Sequence, residues 1–299
     1  MLGFLGATGC DMSRDADDND VNAIRANLLN PTKGFHVCRG FYSPEEVAGY
    51  RDVCRQFLEH GRVIYKRINS DSMPDYVHPR SHDRHNRTYR IYQFLHNHRA
   101  DMMGRFFSKA TSLRDRIEEP WNTDPIYQAE RERLQSYCVV TYYRESMGML
   151  PRHQDYKGPA KLPLIQFWVA LSEPGVDYRK GNLVLFPKTG VRVRAETDLA
   201  LKVGDALIFD KALFHEVEAI EPGEESSLGR CTVLIGARAA RLPFWQAQVK
   251  GLCYDARVHP QLSRLARMAR RFGLGARLDH SLRRMLSLTK SAPAPGEHS

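Results

Sequence analysis

His153 and Asp155 stand two residues apart in "PRHQD". On an extended segment such residues point the same way, so an imidazole and a carboxylate can face one point in space. Two donors do not complete a metal site, and taken alone the pair also fits a surface ion pair. His215, in "VGDALIFDKALFHEV", lies just past a buried-looking apolar run and supplies a second imidazole. Two histidines and one carboxylate can hold iron on one face and leave three adjacent positions open. Further on, "GRCTVLIGAR" places Arg230 and Thr232 on one face of a strand, where a guanidinium fork and a hydroxyl can together hold a carboxylate.

These residues need a scaffold of short strands. "SYCVVTYY" (136 to 143) is β-branched and aromatic, and it is followed by "PLIQFWVAL", "NLVLFP", "VRVRA", "ALIFD" and "CTVLIGA", separated by Gly, Pro and Asp. Many short strands with turns between them indicate a mainly β fold with helical flanks, an all-β barrel or a double-sheet jelly roll, and not a parallel sheet. Upstream, "GFHVCRGFYSPEEVAGYRDVCRQFLEHG" predicts a strand from Phe35 to Arg39 and then a helix. Ser43 caps that helix, with Pro44 at its first position and Glu46 three after the cap. Val47, Tyr50, Val53, Cys54 and Phe57 fall at helical spacing and form its buried stripe. Residues 101 to 119 and 124 to 135 also read as helical, and 61 to 100 as loop with short elements.

At 299 residues and 42% hydrophobic composition the chain can bury a large core. Its six cysteines are scattered and form no CxxC pair, which argues against a zinc ribbon or a disulfide framework and suits a cytoplasmic setting. The opening "MLGFLGATGC" lacks the basic region of a signal peptide, and no apolar run is long enough to span a membrane. Of the net charge of +9, a balance of +7 lies from Lys250 onward, which leaves +2 for the first 249 residues. Three regions follow: a flexible acidic arm (1–30), a central domain (31–245) and a basic helical tail (246–299).

Six ordered segments, "GFHVCRGFYSPEEV", "PRHQD", "QFWVALSE", "GNLVLFPKTG", "VGDALIFDKALFHEV" and "RCTVLIGAR", resemble the phytanoyl-CoA dioxygenase family of Fe(II)- and 2-oxoglutarate-dependent oxygenases. The resemblance covers roughly residues 34 to 240. It implies a cupin-like double-stranded β-helix, with Fe(II) on His153, Asp155 and His215 and the distal carboxylate of 2-oxoglutarate on Arg230. The spacing from His215 to Arg230 is longer than the family pattern, which leaves Arg238 as the alternative clamp. Thr232, Tyr143, Gln166 and Trp168 would line the cofactor cavity. The implied chemistry consumes O2, converts 2-oxoglutarate to succinate and CO2, and attacks a nearby C–H bond, with ascorbate as an auxiliary reductant. Hydroxylation is the expected outcome, because related halogenases lack the carboxylate ligand that Asp155 provides.

The expected substrate is a small or carrier-linked metabolite. Nucleic-acid dealkylation by the same cofactors is an alternative, but the spacing of Arg230 and Arg238 differs from the double-arginine strand of those enzymes, and no nucleic-acid partner is expected. A non-catalytic jelly-roll binding protein is a third reading, which the complete triad disfavours. "HPRSHDRH" (78 to 85) reads as a solvated loop or lid. In the tail, Leu262, Leu265, Ala269 and Phe272 fall on one helical face and Arg264, Arg267, Arg270 and Arg271 lie largely elsewhere. Such helices pack on a barrel, or dock peripherally on the anionic inner face of a membrane or on an acidic partner.

Overall fold

A computed structural model describes residues 9–11, 16–61, 63, 75–79, 88–98, 101–132, 134–143, 148–155, 161–223 and 229–239. In chain order its regular elements begin with β1 (Gly9–Asp11), α1 (Asp18–Leu29), β2 (Phe35–Arg39), α2 (Pro44–His60), β3 (Tyr76–Pro79), β4 (Tyr89–Phe94), α3 (Met102–Glu118), α4 (Pro125–Glu132) and β5 (Leu134–Tyr143). They continue with β6 (Leu150–His153), β7 (Ile165–Ala170), β8 (Tyr178–Lys180), β9 (Leu183–Phe186), β10 (Val193–Arg194), β11 (Ala206–Asp210), β12 (Phe214–Val217), β13 (Glu221–Pro222) and β14 (Arg230–Ala239).

Two sheets face each other as a jelly roll. The large one has the order β1-β2-β11-β7-β14-β5-β4-β3 and the small one β10-β9-β12-β6, with β13 and β8 as a separate pair. All named pairings are antiparallel except β1 with β2. Successive strand residues point to opposite faces, so the large sheet has two buried surfaces. One carries Ile91, Cys138, Val140, Phe167, Val169, Ile208 and Val233 and packs with apolar residues of α1, α2 and α3. The other carries Trp168, Ala170, Leu207 and Phe209 and meets Leu183, Leu185 and Val217 of the small sheet. This explains why "IQFWVA" in β7 shows no apolar/polar alternation: every residue of the strand is buried, half against helices and half inside the barrel.

The capping box at α2 is formed as expected: Ser43 Oγ accepts from Glu46 N at 3.2 Å and Glu46 Oε2 accepts from Ser43 N at 2.8 Å. Val47, Tyr50 and Cys54 of its apolar stripe are buried. The acidic stretch differs from its expectation. Asp18–Leu29 is a helix, opened by a second capping box between Asp17 and Asp20, and it buries Val21, Ile24 and Leu28. Asp17 caps this helix and Asp18 and Asp20 sit in its first turn, where they oppose the positive end of the helix dipole.

No helix among the described residues is long and apolar enough to cross a membrane. The basic tail, the 80–85 part of the suggested lid, and the side chain of Arg238 lie outside the described residues.

Candidate active site

β6 and β12 pair with His153 opposite His215. The two rings are neighbours with centroids 4.3 Å apart, and Asp155 follows in the turn after β6. That turn is pinned by its backbone, since Asp155 N donates to Lys211 O at 3.0 Å and Lys211 N to Leu164 O at 2.9 Å. One ligand atom from each of His153, Asp155 and His215 lies within 4.8 Å of the other two. The Nε2 atoms of His153 and His215 each approach a different oxygen of Asp155 at 3.7 Å.

Hydrogen bonds fix which nitrogens face the centre. His153 Nδ1 lies 2.8 Å from Pro151 O, and His215 Nδ1 lies 2.9 Å from Leu213 O. A carbonyl only accepts, so each Nδ1 donates, and in the neutral ring each Nε2 presents its lone pair to the common point. Burial favours this uncharged form of His215 and pushes its pKa below the usual histidine value, although Asp155 opposes the shift. For Asp155, burial alone would favour the protonated acid. His215, the Gln166 hydrogen bond, His153 and Lys211 together outweigh it and hold the carboxyl below its ordinary range. Gln166 Nε2 donates to Asp155 Oδ2 at 3.0 Å, orienting the carboxylate. Two imidazole lone pairs, one oriented carboxylate and satisfied outer nitrogens are a donor set suited to a divalent transition metal.

The other residues expected to line a cofactor cavity lie on the inner face of the large sheet. Trp168 and Tyr143 are buried there, and Thr232 stands opposite Ala170 on β7 and Thr141 on β5. Arg230 is fully buried on this face, but it is not an open fork. Its Nε and Nη2 donate to Glu196 Oε1 at 3.2 and 2.7 Å. Its Nη1 is buried with no hydrogen-bond partner. The Arg230 guanidinium lies 5.3 Å from the Trp168 ring and 5.5 Å from the Tyr143 ring. The arrangement thus brings the triad, Gln166, Trp168, Tyr143, Thr232 and Arg230 to one barrel interior. Burial of Arg230 against a carboxylate is the feature the sequence pattern does not contain.

Three residues escape the sequence reading. Glu196 follows β10 and is separated from Arg230 by a long stretch of chain. Lys211, buried between Asp210 and the ligand-bearing strand β12, has its Nζ 3.7 Å from where a Cβ on Gly236 would sit. Arg90 faces inward from β4, opposite Thr141. The run "YRIYQF" was the available signal for β4, since its aromatic and β-branched residues Tyr89, Ile91, Tyr92 and Phe94 announce a strand, but the flanking His- and Arg-rich sequence reads as loop.

No family model matches the chain, and no curated protein matches it. Among solved structures, it is similar to a Pseudomonas putida prolyl-4-hydroxylase (16% identity, 74% of this chain and 99% of that chain, TM-score 0.49). It is also similar to SnoN, a non-heme alpha ketoglutarate dependent epimerase from nogalamycin biosynthesis (13% identity, 75% and 84%, TM-score 0.44). A third is an oxidoreductase of the 2OG-Fe(II) oxygenase family from Burkholderia pseudomallei (10% identity, 77% and 95%, TM-score 0.40).

Proposed function

We propose that this chain is an Fe(II)- and 2-oxoglutarate-dependent dioxygenase of the phytanoyl-CoA dioxygenase-like kind. Its substrate would be a small or carrier-linked metabolite hydroxylated at an unactivated C–H bond. The observation that carries this reading is the convergence of His153 Nε2, His215 Nε2 and the Asp155 carboxylate with both outer histidine nitrogens committed to carbonyls. Bound there, Fe(II) would supply activation of O2 coupled to oxidative decarboxylation of 2-oxoglutarate.

The chain's own residues have separable tasks. His153, Asp155 and His215 hold the metal, and Gln166 keeps Asp155 turned toward it. Arg230 Nη1 and the Thr232 hydroxyl offer donors for the distal carboxylate of 2-oxoglutarate, with Tyr143 and Trp168 as aromatic walls that exclude water. The His153 side chain is 31% exposed against 6% for His215, so the metal site opens toward solvent on the His153 side, where a substrate would approach.

Under argon, addition of 2-oxoglutarate to the Fe(II)-loaded protein should produce a weak visible charge-transfer band, and admission of O2 should release succinate. The absence of both in a protein that demonstrably holds Fe(II) would refute the dioxygenase reading.

A further inference from the structure

Two arginines, not one, face the interior beside Tyr143. Across the large sheet, Arg90 on β4 stands opposite Thr141 on β5, and Thr141 stands opposite Thr232 on β14. Two residues along β5 on the same face, Tyr143 stands opposite Arg230. With strands about 4.8 Å apart, β4 and β14 are separated by only about 10 Å, with β5 between them. Long side chains from both can therefore reach the same space over β5.

Their electrostatic states differ. Arg230 directs the Nε and Nη2 edge of its guanidinium at Glu196, whose other oxygen accepts from Leu183 N at 2.8 Å. Glu196 is therefore held in place, and the Arg230–Glu196 pair contributes no net charge. Arg90 differs: among the described residues it makes no salt bridge, and its Nε is buried with no hydrogen-bond partner. Burial acts against the charge of Arg90, but Tyr92, which also hydrogen-bonds to it, Tyr143 and Asp155 together outweigh it and favour the charged form. A buried cation with an unused donor is costly unless an anion completes it.

We propose that Arg90 supplies the net positive charge that binds the distal carboxylate of 2-oxoglutarate, while Glu196 holds Arg230 as a charge-neutral hydrogen-bonding partner in the same pocket. This rests on the dioxygenase reading. Charge balance supports it: a divalent metal with one aspartate offsets the keto-acid end of the ligand, and the far carboxylate then needs one uncompensated cation. Arg230 alone would not provide it, because Glu196 already cancels its charge. Thr141 and Thr232, between the two arginines, supply hydroxyls for the same carboxylate.

The test is anaerobic titration of the Fe(II)-loaded protein with 2-oxoglutarate and with 2-oxopentanoate, which keeps the chelating end and lacks the distal carboxylate. Binding is followed by calorimetry and by the charge-transfer band. Arg90→Gln should weaken 2-oxoglutarate binding by about 10- to 100-fold, the range for a lost charged hydrogen bond, and leave 2-oxopentanoate binding unchanged. Arg90→Lys should retain most of the preference for the dicarboxylate, and it serves as the informative variant if Arg90→Gln does not fold. Glu196→Gln should tighten 2-oxoglutarate binding, because it restores the charge of Arg230. Wild-type affinity for 2-oxoglutarate in Arg90→Gln, or equal weakening for both ligands, would overturn the proposal. If wild-type protein binds Fe(II) and neither keto acid, the dioxygenase reading itself has failed, and that result is distinguishable because it does not depend on any substitution at Arg90.

Discussion

At the mouth of the barrel the candidate metal ligands come from two neighbouring strands of the small sheet and the turn after one of them, whereas its floor combines side chains of β4, β5 and β14 in the large sheet with Glu196, just after β10. The mouth is held by backbone: His153 and His215 are paired residues of one ladder, and Asp155 N is tied to Lys211 O. The floor is held by side chains, with the buried Arg230–Glu196 pair at its centre. The two ends should therefore fail differently. A substitution at the mouth removes chemistry from an intact barrel, while one at the floor removes a charge partner from the core itself.

The floor gives the largest expected change in stability. Arg230→Ala leaves Glu196 buried without its cation and should cost about 3–5 kcal/mol in urea unfolding. The double substitution Arg230→Met with Glu196→Leu removes both charges and should restore much of that loss. Equal destabilisation by the single and the double variant would break the distinction between the two ends.

At the mouth, Gln166→Leu removes the amide that orients Asp155 while preserving side-chain bulk. Metal affinity should fall by about 10- to 100-fold, measured by Co(II) titration, with little change in unfolding. Unchanged affinity would mean that the carboxylate needs no positioning partner.

The smallest effect belongs to neither end. His98, which follows a short turn after β4, is bonded through Nε2 to Asp75 and through Nδ1 to Asp101 at 2.8 Å. Burial disfavours its charge, but the bonds to Asp75 and Asp101 prevail and raise its pKa above the usual histidine value. A raised folded-state pKa gives stability that is fully present below the unfolded value, about 6.5, and is lost as pH rises through the folded one. The melting temperature of wild type relative to His98→Gln should therefore be most favourable near about pH 5 to 6 and decline toward about pH 9. A difference that grows with pH would show that the neutral imidazole is the form that matters.

The same contrast explains what could be read from the sequence. The candidate metal ligands are legible because two of them obey a local rule, the two-residue period of a strand, and the third lies just past an apolar run. The α2 helix is legible from Ser43, Pro44 and Glu46 for the same reason. α1 is not, since its acidic first turn resembles a disordered segment until Val21, Ile24 and Leu28 meet the core. Glu196 and Arg90 are illegible because nothing near them in the chain marks them: their partners are set by strand order, which places β4 beside β5 and β14 beyond it. Arg230 and Thr232 could be assigned to one strand face, but the carboxylate already on Arg230 depends on a turn after β10 whose position only the folded barrel defines.

If His153, Asp155 and His215 form one metal site, loss of any one of them should release the metal. The most direct measurement is the Fe(II) content of anaerobically loaded, desalted protein, compared between wild type and His215→Ala with folding verified by circular dichroism. About one equivalent is expected in wild type and close to none in an equally folded His215→Ala. Equal iron in both proteins would contradict it.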